Sequence, residues 1–337
     1  MQIHKQTLNL QCSNQSLVFM VMGCEGGRVL TSFVVSRRVD LLLLLVAVVW
    51  GSSYLAAKTL TGAVSVPVVL SLRFIITAIA LGAWWWMLPR CVPSGREVVT
   101  GIVLGATQAA VLVLETYGIA GTSATNAGLI ISLTVVFTPV MEAAAARVPV
   151  PRAVFVAGVV AVVGVCLLVS GDGLHAPSTG DGLVLAAALM RSIHVTALAR
   201  LTRGRGVSSV DLTLIQAVVC AVVFTGAAPS GAVGAVQAFT SAQWAAVLYL
   251  GLGCSVFAFV VQTWAIRQTS ASRASLLMGT EPIWAVAIGI SLGNETLTLV
   301  AAAGAVLIIT GTYLGQRAET HHRHATGLSP EIVQASR

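Results

Sequence analysis

Residues 41–59, LLLLLVAVVWGSSYLAAKT, are nineteen consecutive positions with one charge, Lys58, near the far end. A helix of about 20 apolar residues crosses the roughly 30 Å of hydrocarbon in a bilayer, and this stretch meets that length. Nine more runs of the same character follow, at 66–88, 98–118, 123–146, 153–170, 182–201, 208–228, 242–265, 272–292 and 297–315. They are rich in alanine and leucine and lack the two-residue alternation of a barrel strand. Composition agrees: of 337 residues 56% are hydrophobic and 9% charged, with a mean hydropathy of +0.90. Soluble domains carry about a quarter charged residues, enough to face water on all sides. The expected fold is therefore an all-α integral membrane protein with ten transmembrane helices.

The charges between the runs set its orientation. Arg37 and Arg38 precede the first run; Arg90 and Arg96 follow the second, Arg147 and Arg152 the fourth, and Arg200, Arg203 and Arg205 the sixth. Arg267 and Arg273 follow the eighth run, and Arg317 and Arg323 the tenth. The alternate loops hold Asp172, His175, Asp181 and Glu295, with Lys58 their nearest cation. Positive residues stay on the cytoplasmic side. Both termini are thus expected inside, in a multi-pass protein of the cell (inner or plasma) membrane. Trp84-Trp85-Trp86 and Trp244 fall at run ends, where amphipathic rings meet headgroups. The net charge of +7 is spread singly rather than as a basic stripe, so no nucleic-acid partner is expected.

Shifting the chain by 147 residues aligns 116–129 (TYGIAGTSATNAGL) with 263–276 (TWAIRQTSASRASL), seven identities in fourteen positions. The register holds to Gly164 opposite Gly311. Both copies sit between the third and fourth runs of a five-run unit. Five is odd, so the second unit enters the membrane in the opposite sense, as in the inverted repeats of many secondary transporters. The expected organisation is a flexible extension over 1–36, a first five-helix repeat over 37–171, a second over 181–316, and a cytoplasmic polar tail over 317–337. The longest apolar stretch of the extension, Leu17 to Met22, is shorter than a signal-peptide core.

Enzyme signatures are missing from the sequence. Neither lysine, Lys5 or Lys58, follows a glycine, so there is no phosphate-binding GxxxxGK loop. HExxH, GxSxG and a strand-to-helix GxGxxG are absent as well. The six cysteines form no CxxC pair, and His321, His322 and His324 belong to a solvated tail. No cofactor and no metal are expected.

Ionisable groups inside the runs are expensive in lipid and are the first candidates for function. Glu281 lies mid-run beside Pro282, which removes a helix hydrogen bond and loosens the backbone there. Arg191 and His194 are three apart and share a helix face. Arg73 and Glu115 lie at similar depth near the outer side and form a plausible pair. Trp50 and Trp284 stand at mid-depth, suited either to packing or to lining a cavity for organic molecules. The structural alternative for Glu281, Arg191 and Arg73 is mutual neutralisation that sets helix register. Glu142 and Asp211, near run ends, are read as snorkelling. Gly101/Gly105 and Gly311/Gly315 are close-packing spacings.

Several of these residues resemble a known family. Trp50-Gly51-Ser52-Ser53-Tyr54 resembles the WGS(S/N)-aromatic signature of EamA-type members of the drug/metabolite transporter superfamily, and Leu72-Arg73-Phe74 is similar to their (L)RF element. Glu281-Pro282-Ile283-Trp284, Gly293-Asn294-Glu295-Thr296-Leu297-Thr298 and Gly304 to Gly311 resemble the end of their second repeat. The first repeat departs from that pattern, with Thr134-Val135 opposite Glu281-Pro282 and Arg147-Val148-Pro149 where a glycine-glutamate turn usually stands. The resemblance implies two five-helix units around a central cavity, and secondary transport of small organic solutes such as amino acids or drugs, often as efflux. In that reading Glu281 meets an amine or carries a coupling proton, while Arg191 or Arg73 meets a carboxylate. Rival functions are an uncoupled facilitator or antiporter, a membrane-embedded lipid-modifying enzyme, and a non-transporting receptor or scaffold. Pairing of two copies as a homodimer stays open.

Overall fold

The computed structural model describes residues 28–87, 93–147, 152–170, 178–203, 208–228, 232–268, 271–294 and 298–325, all helices and short turns with no strand among them. The greater part of the expected N-terminal extension, and the end of the expected tail, lie outside the described residues. The first helix, α1 (Arg28–Thr61), starts ahead of its apolar run. It is followed by α2 (Val66–Met87), α3 (Gly95–Gly121), α4 (Ala124–Ile131), α5 (Thr134–Ala146), α6 (Arg152–Ser170), α7 (Thr179–Thr202) and α8 (Ser209–Ala227). A short α9 (Ala232–Gln237), in a stretch expected to be loop, leads to α10 (Ser241–Leu248), a π-helical segment Tyr249–Phe257, and α11 (Ala258–Gln268). The chain ends with α12 (Ala271–Met278), α13 (Glu281–Ser291) and α14 (Leu299–Ala325), the last carrying the start of the polar tail as helix.

Seven helical stretches are long and apolar enough to cross a bilayer, rather than ten: Arg38–Thr61, Val66–Met87, Gly95–Gly121, Ala124–Ala146, Thr179–Thr202, Ser209–Ala227 and Ser241–Gln268. Phe155–Gly164, Glu281–Ser291 and Leu299–Gly315 are shorter apolar helices. For Glu281–Ser291 the reason is a break. The run at 272–292 is two helices, α12 and α13, separated by a turn at 279–280. Pro282 has no N–H to donate, which a helix tolerates in its first turn, so the helix restarts there instead of continuing. The run at 123–146 breaks likewise, at 132–133. There Ser132 Oγ donates to the Leu129 carbonyl at 2.6 Å and Thr134 Oγ1 to that of Ile131 at 2.7 Å. Both hydroxyls occupy carbonyls that an interrupted ladder leaves open.

Helix contacts follow small residues. Gly101 and Gly105 of α3 sit against Ile215 and Val219 of α8, and Gly311 of α14 lies on the backbone of Ala157 and Ala161 of α6. α3 also packs on α7, α2 on α8, and α1 on α13. Large apolar side chains such as Ile79, Phe155, Val222 and Val306 face outward, whereas Thr77, Ser192, His194, Ser255 and Glu281 are buried. That inside-out distribution suits a lipid solvent, with backbone polar groups satisfied within helices.

Candidate functional site

The site begins with Gly51. A Cβ there would fall on Trp284 Cβ and the Glu281 carbonyl, so only glycine lets α1 press onto the first turn of α13. The approach brings Tyr54 to Glu281, and the phenol donates a hydrogen bond to Glu281 Oε1. Trp50, one helical turn before Tyr54, lies on the same face of α1.

Arg191 of α7 is the hub. Its Nη2 meets Glu115 Oε2 of α3 at 2.7 Å, and its Nη1 meets Glu281 Oε2 at 3.3 Å. The guanidinium also lies 5.1 Å from the Trp50 ring centroid, within cation–π range. Trp50 is held in turn, its Nε1 donating to the Cys254 carbonyl at 3.0 Å and its ring edge-to-face with Phe259 at 5.8 Å. Cys254 belongs to the π-helical segment, where the widened hydrogen-bond ladder turns backbone groups toward neighbours; such segments recur at functional sites.

Arg73 of α2 stands beside this hub. Its Nε donates to Ser255 Oγ at 2.7 Å, while Ser255 donates to the Leu250 carbonyl at 3.0 Å. His194 Nδ1 meets Thr107 Oγ1 at 2.8 Å. Thr107 Oγ1 is also within hydrogen-bond reach of the Leu104 carbonyl, at 2.9 Å.

Two adjoining cavities surround these groups. One is lined by Arg73, Gln108, Glu115 and His194; the other by Thr134, Ser275, Met278 and Glu281. Trp50, Arg191 and Gln262 line both and stand between them.

Six of the seven residues singled out from the sequence therefore come together: Glu281, Arg191, Arg73, His194, Trp50 and Glu115. Trp284 does not. It is 40% exposed and lines neither cavity, because the Gly51 contact fixes its Cβ against α1 and leaves the ring outside. The Arg73–Glu115 pair does not form either, since Glu115 goes to Arg191 and Arg73 to Ser255. Asp211, expected to snorkel, is in the first turn of α8, its N–H bonded to Ser208 Oγ at 3.4 Å. Sequence reasoning missed Tyr54, Gln108 and Gln262 because it looked for charges. Tyr54 is four residues from Trp50, and helical spacing alone places it on the same face. Among the described residues no group of three or more His, Cys, Asp or Glu side chains is arranged to hold a metal.

A family model described as EamA-like transporter family matches residues 37–170 and again 178–315. The chain belongs to that family. EamA is a family of the drug/metabolite transporter superfamily, and membership makes this chain a multi-pass membrane transporter. It is 25% identical to an uncharacterized transporter of Archaeoglobus fulgidus over 290 residues, 83% of this chain and 97% of the relative. A solved crystal structure resembles it with a TM-score of 0.58 and 17% identity, over 85% of this chain and 98% of that one, a likeness of fold alone. The WGSSY motif of this EamA protein supplies Trp50 and Tyr54, and its LRF element supplies Arg73.

Proposed function

We propose that this EamA-family protein is a secondary active exporter of small organic solutes, working by alternating access through ten spans arranged as two inverted repeats in the cell membrane. The carrying observation is Arg191, held by two buried carboxylates from different helices and standing between two cavities. An ion pair removed from water is dear to bury, and its exchange with a solute or a proton gives a two-state element that a transport cycle needs. Glu281 is the group we assign to proton coupling, because it bridges Arg191 and the Tyr54 phenol at a helix break.

Several observations support the repeat. The breaks at 132–133 and 279–280 lie 147 residues apart, the same shift that aligns the sequences. The left-handed residues Arg147 and Asn294 are also 147 apart. Packing follows a two-fold pattern, α4 and α5 against α7 answering α12 and α13 against α1. The same shift sets Gln262 opposite Glu115 and Glu281 opposite Thr134, and all four line the paired cavities. Each half thus gives one carboxylate and one neutral group, and the carboxylates come from non-equivalent places.

The test is transport. Cells overproducing the chain are screened for resistance to a panel of amino acids and drugs, and the protecting solute is followed in proteoliposomes. Export driven by a pH gradient is expected, with Glu281→Gln and Arg191→Ala slowing it by about tenfold or more. Wild-type flux in both variants defeats the site assignment. Flux that ignores collapse of the gradient identifies an uncoupled carrier.

A further inference from the structure

Arg191 is satisfied by its two carboxylates, but Arg73 is not. It is 8% exposed, and among the described residues no carboxylate lies within ion-pair distance of it. Its one hydrogen bond among the described residues uses Nε, toward Ser255. The two Nη groups are neither bonded to protein nor sealed from space; they open on the first cavity. A guanidinium fixed at Nε presents its Nη edge as a fork, the geometry that matches a carboxylate.

Two further groups on that cavity share this condition. Gln108 is 7% exposed and Gln262 is 4% exposed, and neither amide makes a hydrogen bond among the described residues. Their polar atoms are not sealed in either, so they too face the cavity. Buried polar groups are ordinarily paired. Three such groups, one of them cationic, converge on one hollow.

The surroundings narrow the ligand. The Arg73 guanidinium lies 5.7 Å from the Phe74 ring and 5.8 Å from that of Phe259, and Trp50 closes the cavity beyond. Apolar walls suit an organic body. Arg73, Arg191 and the carboxylate Glu115 line this cavity, and Arg191 already pairs with Glu115, which leaves Arg73 as the cation for a singly charged anion. We propose that Arg73, with the amides of Gln108 and Gln262, receives the carboxylate of the transported solute, so that substrates are small monocarboxylates with an apolar or aromatic body. The assignment rests on the transporter reading for its purpose, though its geometry is independent of flux.

Binding tests it on the full chain in lipid nanodiscs. Butyrate, benzoate, leucine and phenylalanine are titrated beside their primary amides and beside inorganic phosphate. At least one carboxylate is expected to bind, with its amide about tenfold weaker or worse, and Arg73→Gln is expected to erase that preference while Arg73→Lys keeps part of it. The wild-type comparison of acid with amide stands even if Arg73→Gln fails to fold. Equal binding of acid and amide, a preference that survives Arg73→Gln, phosphate binding as well as the acids, or no binding by any acid overturns the proposal. A chain that binds the acid through Arg73 but carries nothing instead defeats the transporter reading.

Discussion

Tyr54 and Glu281, 227 residues apart in the chain, share a hydrogen bond in the interior of the helix assembly. The phenol lies on α1 and the carboxylate on the first turn of α13, so one bond ties the two helices together where α13 restarts. Tyr54→Phe keeps the ring and deletes the donor. A hydrogen bond to a charged group contributes roughly 1.5–3 kcal/mol, and a loss of that order is expected in the unfolding of the purified protein. Flux is expected to fall with it, since the carboxylate would then be held by Arg191 alone. Unchanged unfolding and unchanged flux would show that the phenol is idle.

Arg191 is the shared counter-ion of Glu115 and Glu281. Removing it leaves two buried carboxylates without a cation, and breaking a buried pair costs about 3–5 kcal/mol. Arg191→Met alone is therefore expected to destabilise severely. Adding Glu115→Gln and Glu281→Gln to it should recover much of the loss, because the unpaired charges go with it. The interaction energy from a mutant cycle reads the coupling directly. Additive effects would mean that the three groups do not act as one network.

Gly51 touches neither cavity, yet its missing side chain sets the distance between α1 and α13. Gly51→Val forces a branched side chain against Trp284 and the Glu281 backbone. Overpacking of this kind costs about 1–3 kcal/mol. It should also part Tyr54 from Glu281, so transport is expected to fall further than with an equally destabilising change at Gly105, where α3 meets α8. Equal losses at both glycines would reduce Gly51 to a packing residue.

The helical runs were legible because lipid enforces a single pattern, long and apolar, on every helix it surrounds. The charged members of the site were legible for the same reason: Arg73, Glu115, Arg191 and Glu281 stand out against hydrocarbon. Partner choice was not. Depth along a helix says nothing of azimuth, so Arg73 and Glu115 looked matched while Glu115 faces Arg191. Uncharged polar residues carried too weak a signal, which hid Gln108 and Gln262. The break at 132–133 rests on serine and threonine hydroxyls that serve equally well inside a helix. The π-helical turn at Tyr249–Phe257 has no residue pattern that announces it.

Chain orientation gives the last prediction. From the alternation of arginines, Lys58, Thr122 and Asp181 are expected on the outer side, although they come from three separate segments. In the fold they meet: Lys58 Nζ donates to the carbonyls of Ile119, Ala120 and Thr122, and Thr122 Oγ1 donates to Asp181 at 2.6 Å. Arg267 and Ser209, both assigned to the inner side, also meet, at 2.9 Å. Single cysteines placed in a cysteine-free chain can be labelled from one side with a reagent that does not cross the bilayer. Gly62→Cys and Thr240→Cys, both exposed positions, should react from outside, and Ser94→Cys and Arg203→Cys only after the membrane is opened. If Gly62→Cys and Thr240→Cys label from different sides, an odd number of crossings separates them, and the inverted pairing of the two halves fails with it.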